Sequence, residues 1–245
     1  MYKTVDRIDK ILASQGLGSR REVHELLKQG RVTVNSDVVR TADFKTDADT
    51  HVICVDGQPL QYRRYVYIMM NKPKGVISAT DDPRQRTVID LIAGPLQRKG
   101  LFPVGRLDKD TEGLLLITDD GDYAHRVLSP KKGIDKWYEA TVDGPISASE
   151  IAAFENGIVF EDGVRCRPAG LSVLRDGAQP VALVRIQEGK FHQVKKMFRA
   201  VNRTVLALKR VQIGALRLDP GLKPGEYREL TDAERQFVFH AQKQA

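Results

Sequence analysis

The sequence predicts an α+β fold in two parts. A small N-terminal module of two helices on a short sheet occupies residues 1–60, and a larger domain with a mixed, mainly antiparallel sheet and flanking helices occupies 65–245. Three observations support this. Strand and helix patterns mix without the regular alternation that builds a parallel sheet. Two short amphipathic helical stretches, then branched alternating segments, fill the first part. Between the parts, Gln58-Pro59-Leu60-Gln61-Tyr62-Arg63-Arg64 is polar, proline-bearing and aperiodic, as a linker is.

In the module, Ile8, Ile11 and Leu12 fall at i, i+3 and i+4, which predicts a helix over 6–15 that Gly16 and Gly18 end. Ser19-Arg20-Arg21-Glu22 is a capping box, and it opens a second helix with Val23, Leu26 and Leu27 inward and Gly30 as its stop. Arg31 to Asn35 reads as a strand, Asn35-Ser36-Asp37 as a turn, and His51 to Val55 as another strand closed by Asp56-Gly57. From charge alone, Arg20, Arg21, Lys28 and Arg31 read as a solvated basic face.

In the larger part, Tyr65 to Met70 is a predicted strand and Asn71 to Gly75 a turn. Thr87 caps a short helix stopped by Gly94-Pro95. Gly105-Arg106-Leu107-Asp108-Lys109-Asp110-Thr111-Glu112-Gly113 is a loop dense in ionisable groups that runs straight into the apolar Leu114 to Ile117. That run is short, flanked by glycine and ended by a turn, so it reads as a buried strand that holds the loop still. A helix over 122–128 follows, then a strand from Trp137 to Val142 and a helix opened by the capping box Ser147 to Glu150. Asp162-Gly163 joins two strands, and Val181 to Ile186 is a further strand. Gln193 to Val201 is the clearest helix, with Val194, Met197, Phe198 and Val201 on one face. Thr231-Asp232-Ala233-Glu234 caps a last helix.

The chain of 245 residues carries 39 Lys+Arg against 32 Asp+Glu, a net +7, which suits a nucleic-acid partner without requiring one. The positive charge is not evenly spread. No acidic residue occurs from Gly189 to Leu218, a window that holds Lys190, Lys195, Lys196, Arg199, Arg203, Lys209, Arg210 and Arg217. Such a field would hold a phosphate backbone. Cys54 and Cys166 are far apart with no CxxC, which argues against a disulfide framework or zinc ribbon and for thiols in a reducing cytosol. No apolar run approaches a membrane span and the N-terminus leads into no secretory core, so a cytoplasmic protein without a membrane partner is expected.

Residue chemistry leaves the reaction open. The five histidines are scattered and no two have metal-ligand spacing. There is no P-loop, dinucleotide fingerprint or nucleophile elbow. Asp108 and Asp110 superficially suit a magnesium phosphotransferase, but such aspartates normally follow a buried strand rather than precede one. They could equally tie down a turn by accepting from backbone N–H groups.

Motifs along the chain narrow the choice. Arg7 to Ala13, Gly18 to Val23 and Gly30 to Asn35 together resemble the RNA-binding module named after ribosomal small-subunit protein four. That resemblance implies that Arg20, Arg21 and Arg31 meet RNA phosphate. Gly-Arg-Leu-Asp-x-Asp-Thr-x-Gly-Leu from Gly105 resembles the pseudouridine synthase signature. Asn71-Lys72-Pro73-Lys74-Gly75, Lys136-Trp137-Tyr138, Glu188 to Phe198 and Pro224 to Thr231 resemble that family's other motifs, most closely those of the type acting on small-subunit ribosomal RNA. Lys190 stands where Arg is frequent and Trp137 where a small residue is usual. The resemblance implies isomerisation of a uridine within RNA, with no cofactor, metal or energy source. It implies Asp108 as nucleophile, Lys195 as its counter-charge, Tyr138 as the ring over the uracil, Arg106 holding the target nucleotide and Val194 contacting it. Lys190, Lys196 and Arg199 would meet RNA. The implied partner is ribosomal RNA within an assembling small-subunit particle, met by a monomer. The alternatives are a sister enzyme acting on large-subunit RNA and a catalytically silent assembly factor.

Overall fold

The computed structural model describes residues 5–240, and its contacts divide the chain into two units. The smaller runs up to Tyr65 and also takes in Gly94–Gly100; the larger comprises Val66–Ala93 and the chain from Leu101 onward.

In the smaller unit the expected capping box forms. Ser19 Oγ accepts from the Glu22 N–H and the Glu22 carboxylate accepts from the Ser19 N–H. Helices α1 (Ile8–Ser14) and α2 (Arg20–Lys28) share a core with strands β1 (Val32–Val34) and β2 (Ile53–Val55), made of Ile8, Leu12, Val23, Leu27, Val32 and Ile53 among others. Both Asn35 and Ser36 take positive φ (49° and 76°), the conformation of a tight hairpin turn, and the chain pairs back through Asp37–Val38. Gln58–Pro59, expected as linker, instead adds an edge strand to β2, a place where proline's missing N–H costs nothing. Gly94–Gly100, expected in the second domain, contacts the first: the Arg98 guanidinium donates to the carbonyls of Arg63 and Arg64 (2.9 and 3.2 Å).

Among the described residues the larger unit is built on a nine-stranded sheet. Its main strands and helices, in chain order, are β3 (Tyr67–Lys72), β4 (Glu112–Thr118), α3 (Gly121–Leu128), β5 (Lys136–Val142), α4 (Ala148–Asn156), β6 (Gly170–Arg175), β7 (Val181–Ile186), α5 (Gln193–Ala200), β8 (Val205–Ile213), β9 (Tyr227–Glu229) and α6 (Asp232–Phe237). The spatial order is β6-β7-β5-β8-β4-β3-β9, and every neighbouring pair is antiparallel except β8 with β4. The expected mainly antiparallel α+β sheet is therefore present.

Strand β4 lies deep in this sheet, and Gly113 through Thr118 are all buried. Leu114 and Leu116 pack with Tyr123, Ala124 and Val127 of α3, so Leu115 and Ile117 face the other side of the pleat. A strand covered on both faces needs a continuous apolar run, and this one has it. Where β4 and β8 run parallel, Gly113 opposes Arg210 at φ 103°. A Cβ at that position would lie 2.2 Å from the Arg210 carbonyl oxygen, so only glycine fits.

Past the Asn71–Gly75 turn, Ile77 makes an isolated bridge with Thr87. Two local expectations differ from the structure. The turn at Asp162-Gly163 is likewise flanked by a single bridge, Val159 to Arg165. The helix capped by Thr87 is one 3₁₀ turn, Ile89–Leu91, although Thr87 Oγ1 does accept from the Asp90 N–H.

Candidate active site

The ionisable loop before β4 is held from below by one side chain. Lys72, at the end of β3, is fully buried. Its ammonium donates to the carbonyls of Asp108 (3.0 Å) and Thr111 (2.9 Å) in the loop and of Pro73 (3.0 Å) in the turn after β3, so its three N–H donors are all used. Burial pushes its pKa down to about 8, against the pull of Asp110, Asp108 and Glu112. Ser78 closes the loop's other flank, accepting from the Leu107 N–H (3.0 Å) and donating to the Leu107 carbonyl (2.9 Å). The Gly75 N–H donates to the Lys109 carbonyl. With its backbone bound at 107, 108, 109 and 111, the loop has little freedom to reorient the Asp108 carboxylate.

Helix α5 supplies the facing charge. The segment before it is fixed by Gln193, which accepts from the Lys190 N–H (2.9 Å) and donates to Glu188 (2.8 Å). Val194, Met197 and Phe198 bury the inner face of α5, and Phe198 packs on Phe154 of α4. Lys195 lies on the flank of that face. Its Nζ is 3.1 Å from Asp108 Oδ2 and 2.6 Å from Asp110 Oδ1. Partial burial works to lower the Lys195 pKa, but hydrogen bonds to Asp110 and Asp108 outweigh it and raise the value. Asp110 is lowered, chiefly by its hydrogen bond from Lys195. His192 Nε2 lies 3.6 Å from the other Asp108 oxygen.

One cleft is lined by Arg106, Asp108, Tyr138, Lys190, His192 and Val194. Residues expected at the site from three distant segments thus meet there, with Lys195 against Asp108. Tyr138 is buried on β5, opposite Arg210 of β8, and its hydroxyl is 3.5 Å from Arg210 Nη1. Arg210 is itself 4% exposed and donates from Nε to the Leu114 carbonyl (2.8 Å), while its Nη2 has no hydrogen-bond partner among the described residues. Neighbouring Lys136 is pushed down to about 8 by burial first and by Arg210 second. Among the described residues no three His, Cys, Asp or Glu side chains are placed to hold a metal ion.

Three comparisons with known proteins agree with this geometry. A family model described as RNA pseudouridylate synthase matches residues 66–200, and the S4 domain model matches residues 6–52. The chain belongs to the RNA pseudouridylate synthase family. It is 47% identical over 237 residues to the uncharacterized RNA pseudouridine synthase YtzG of Bacillus subtilis, covering 96% of this chain and 99% of the relative. It is 41% identical to the ribosomal small subunit pseudouridine synthase A of Salmonella typhimurium, covering 93% and 97%. A crystal structure of a pseudouridylate synthase superposes with a TM-score of 0.67 at 34% identity, over 95% of this chain and 99% of that one. The enzyme is therefore an RNA pseudouridine synthase.

The expected RNA contacts divide. Arg20 and Arg21 are exposed on α2. Arg31 is bidentate to Asp56 (2.6 and 2.5 Å) in an exposed ion pair of the smaller unit. Lys190 pairs with Glu188. Lys196 lies 3.6 Å from Asp162 and near the rings of Phe160 and Phe191. Arg199 is exposed, beside a separate hollow with Phe160 and Glu161. The acid-free window is not one basic face either, since its second half is β8 and its Arg210 points inward.

Four residues at or under the site were not expected there. Lys72 sat inside a recognised motif without a role. Asp110 was expected to support the turn, yet it is the closer partner of Lys195. His192 lies inside a motif but has no expected role, and its Nε2 is 3.6 Å from Asp108. Arg210 carried no local signal, because β8 itself was not foreseen.

Proposed function

We propose that this enzyme isomerises a uridine of small-subunit ribosomal RNA to pseudouridine, with Asp108 as nucleophile. The observation that carries the reading is the Asp108 carboxylate, paired with Lys195, in a cleft also lined by Tyr138. The target class is supported by likeness to relatives named for the ribosomal small subunit. The substrate would be RNA in an assembling particle and the enzyme a monomer.

A nucleophilic carboxylate must be ionised where water is partly excluded, and burial opposes ionisation. Lys195 offsets that cost. The arrangement has a further use. When Asp108 forms a covalent bond and loses its charge, Lys195 keeps Asp110 as a partner at 2.6 Å. The lysine is then never left as an unpaired partly buried cation, a state that would oppose the forward step. In the isomerisation the bond from C1′ to N1 breaks, the uracil turns, a bond from C1′ to C5 forms, the C5 proton leaves and N1 takes one up. Tyr138 would stack on the turning base, its hydroxyl steadied by Arg210. Arg106 would hold the nucleotide after it is drawn out of its stack, which costs a few kcal/mol that RNA contacts must offset. Arg20 and Arg21, exposed on α2, suit phosphate contact.

Tritium release from uridine labelled at C5 in small-subunit ribosomal RNA tests the reading. Asp108→Asn is expected to bind RNA and release no tritium above background. Asp110→Asn is expected to keep turnover within about tenfold, as it loses only a charge partner of Lys195. Normal turnover in Asp108→Asn, or its loss in Asp110→Asn alone, would overturn the assignment.

A further inference from the structure

Phe191 is the most exposed large apolar side chain among the described residues, 70% open, and it sits beside the cleft. Its ring is stacked on that of His192, with centroids 3.7 Å apart and planes 21° from parallel. Consecutive side chains do not ordinarily stack: along a strand they point to opposite faces and along a helix they diverge. Here His192 takes a left-handed backbone (φ 52°, ψ 33°), which a residue with a Cβ adopts at some cost. That turn brings the two rings face to face. Lys196, one helical turn on, lies 5.8 Å from the centre of the Phe191 ring and 5.2 Å from Phe160, and is anchored by Asp162. An exposed aromatic is thus oriented by a strained backbone, a partner ring and a tethered cation, where a merely solvent-exposed phenylalanine would need none of them.

We propose that Phe191 and His192 form a stacking platform for the RNA base next to the uridine held at Asp108. This rests on the reading of the cleft as a uridine site. His192 Nε2 is 3.6 Å from Asp108, and the Phe191 ring, stacked on the imidazole and 70% exposed, offers its other face to a nucleotide next to the one in the cleft. Every base has a π-face, so such a platform grips single-stranded RNA without reading its sequence.

The test is the affinity of the full-length protein for a transcript of small-subunit ribosomal RNA, measured across a range of salt concentrations. Phe191→Ala is expected to weaken binding roughly 10- to 100-fold, the loss of one stacked base. The slope of log K against log salt should stay at the wild-type value, because no phosphate contact is removed. Phe191→Tyr should restore affinity to within a few-fold. An affinity for Phe191→Ala within twofold of wild type overturns the proposal, and so does a loss accompanied by a shallower slope or one that Phe191→Tyr fails to rescue. Tritium release by the wild type is scored separately. If wild type binds the transcript without forming pseudouridine, the function reading falls while the platform is still judged on binding.

Discussion

Replacing Lys72 by methionine should unfasten the Asp108 loop. Methionine keeps most of the side-chain length and removes the ammonium. The carbonyls of Pro73, Asp108 and Thr111, now bonded at 2.9–3.0 Å, would lose their donor under a fully buried side chain. A hydrogen bond to a charged group is worth about 1.5–3 kcal/mol. Against three such losses stands the relief of no longer burying an ammonium, several kcal/mol in the other direction. The net expectation is a loss of about 2–4 kcal/mol. For a chain of this size that is a fall in melting temperature of roughly 5–15 °C. Activity should suffer more than stability. A displacement of about 1 Å in a positioned group can cost 100-fold in rate, and the Asp108 carbonyl is one of the three that Lys72 holds. Calorimetry gives the first number. Tritium release at saturating RNA and 20 °C, where the variant remains folded, gives the second. A Lys72→Met enzyme with wild-type melting temperature and turnover would show that Ser78 and the Gly75 N–H suffice to hold the loop and that the clamp argument is wrong.

Two further outcomes follow from the packing. Gly113→Ala puts a Cβ 2.2 Å from the Arg210 carbonyl at a φ of 103°, so the parallel β4–β8 pairing must open; a loss of about 3 kcal/mol or more is expected, read as little soluble protein or a large drop in denaturant midpoint. Glu234 is held at about 2, below its ordinary 4.5, chiefly by hydrogen bonds from Arg228. A depressed carboxylate adds stability above pH 4.5 that disappears as the pH falls towards 2. With Arg228 34% exposed, solvent screening leaves on the order of 2 kcal/mol. Glu234→Gln should therefore be less stable than wild type by that amount at pH 7 and equal to it near pH 2, and a constant gap in acid titrations of stability would contradict the pairing.

Much of the scaffold was readable because local chemistry agreed with the final fold. The boxes at Ser19, Ser147 and Thr231 all formed, since a capping hydroxyl and a carboxylate three residues on satisfy helix N–H groups without tertiary help. The run Leu114 to Ile117 became a doubly covered strand because nothing else can accommodate four consecutive large apolar residues in water. What escaped was structure made by distant partners. Strand β8 contains Lys209 and Arg210 and sits in a basic stretch, so it resembled surface; it is a strand because β5 and β4 pair with it from either side. Strands β6 and β9 likewise exist through their neighbours. At the site, Asp108 and Tyr138 were legible through family motifs alone. The Lys72 clamp was not, because a lysine between asparagine and proline carries no local mark of burial.

The seam between β4 and β8 also bears on when the protein becomes an enzyme. Arg210 reaches the carbonyl of Leu114 across 96 positions, and Lys195 reaches Asp110 across 85. Closing spans of that length is slow and cannot begin before both ends exist. During synthesis, the Asp108 loop and its buried strand emerge long before Lys195, which faces them, and Arg210, which lies against Tyr138. A growing chain therefore carries the smaller unit and the Asp108 loop while Lys195 and Arg210 are still unmade, and the cleft can close only once both, which lie in the last third of the sequence, have been added.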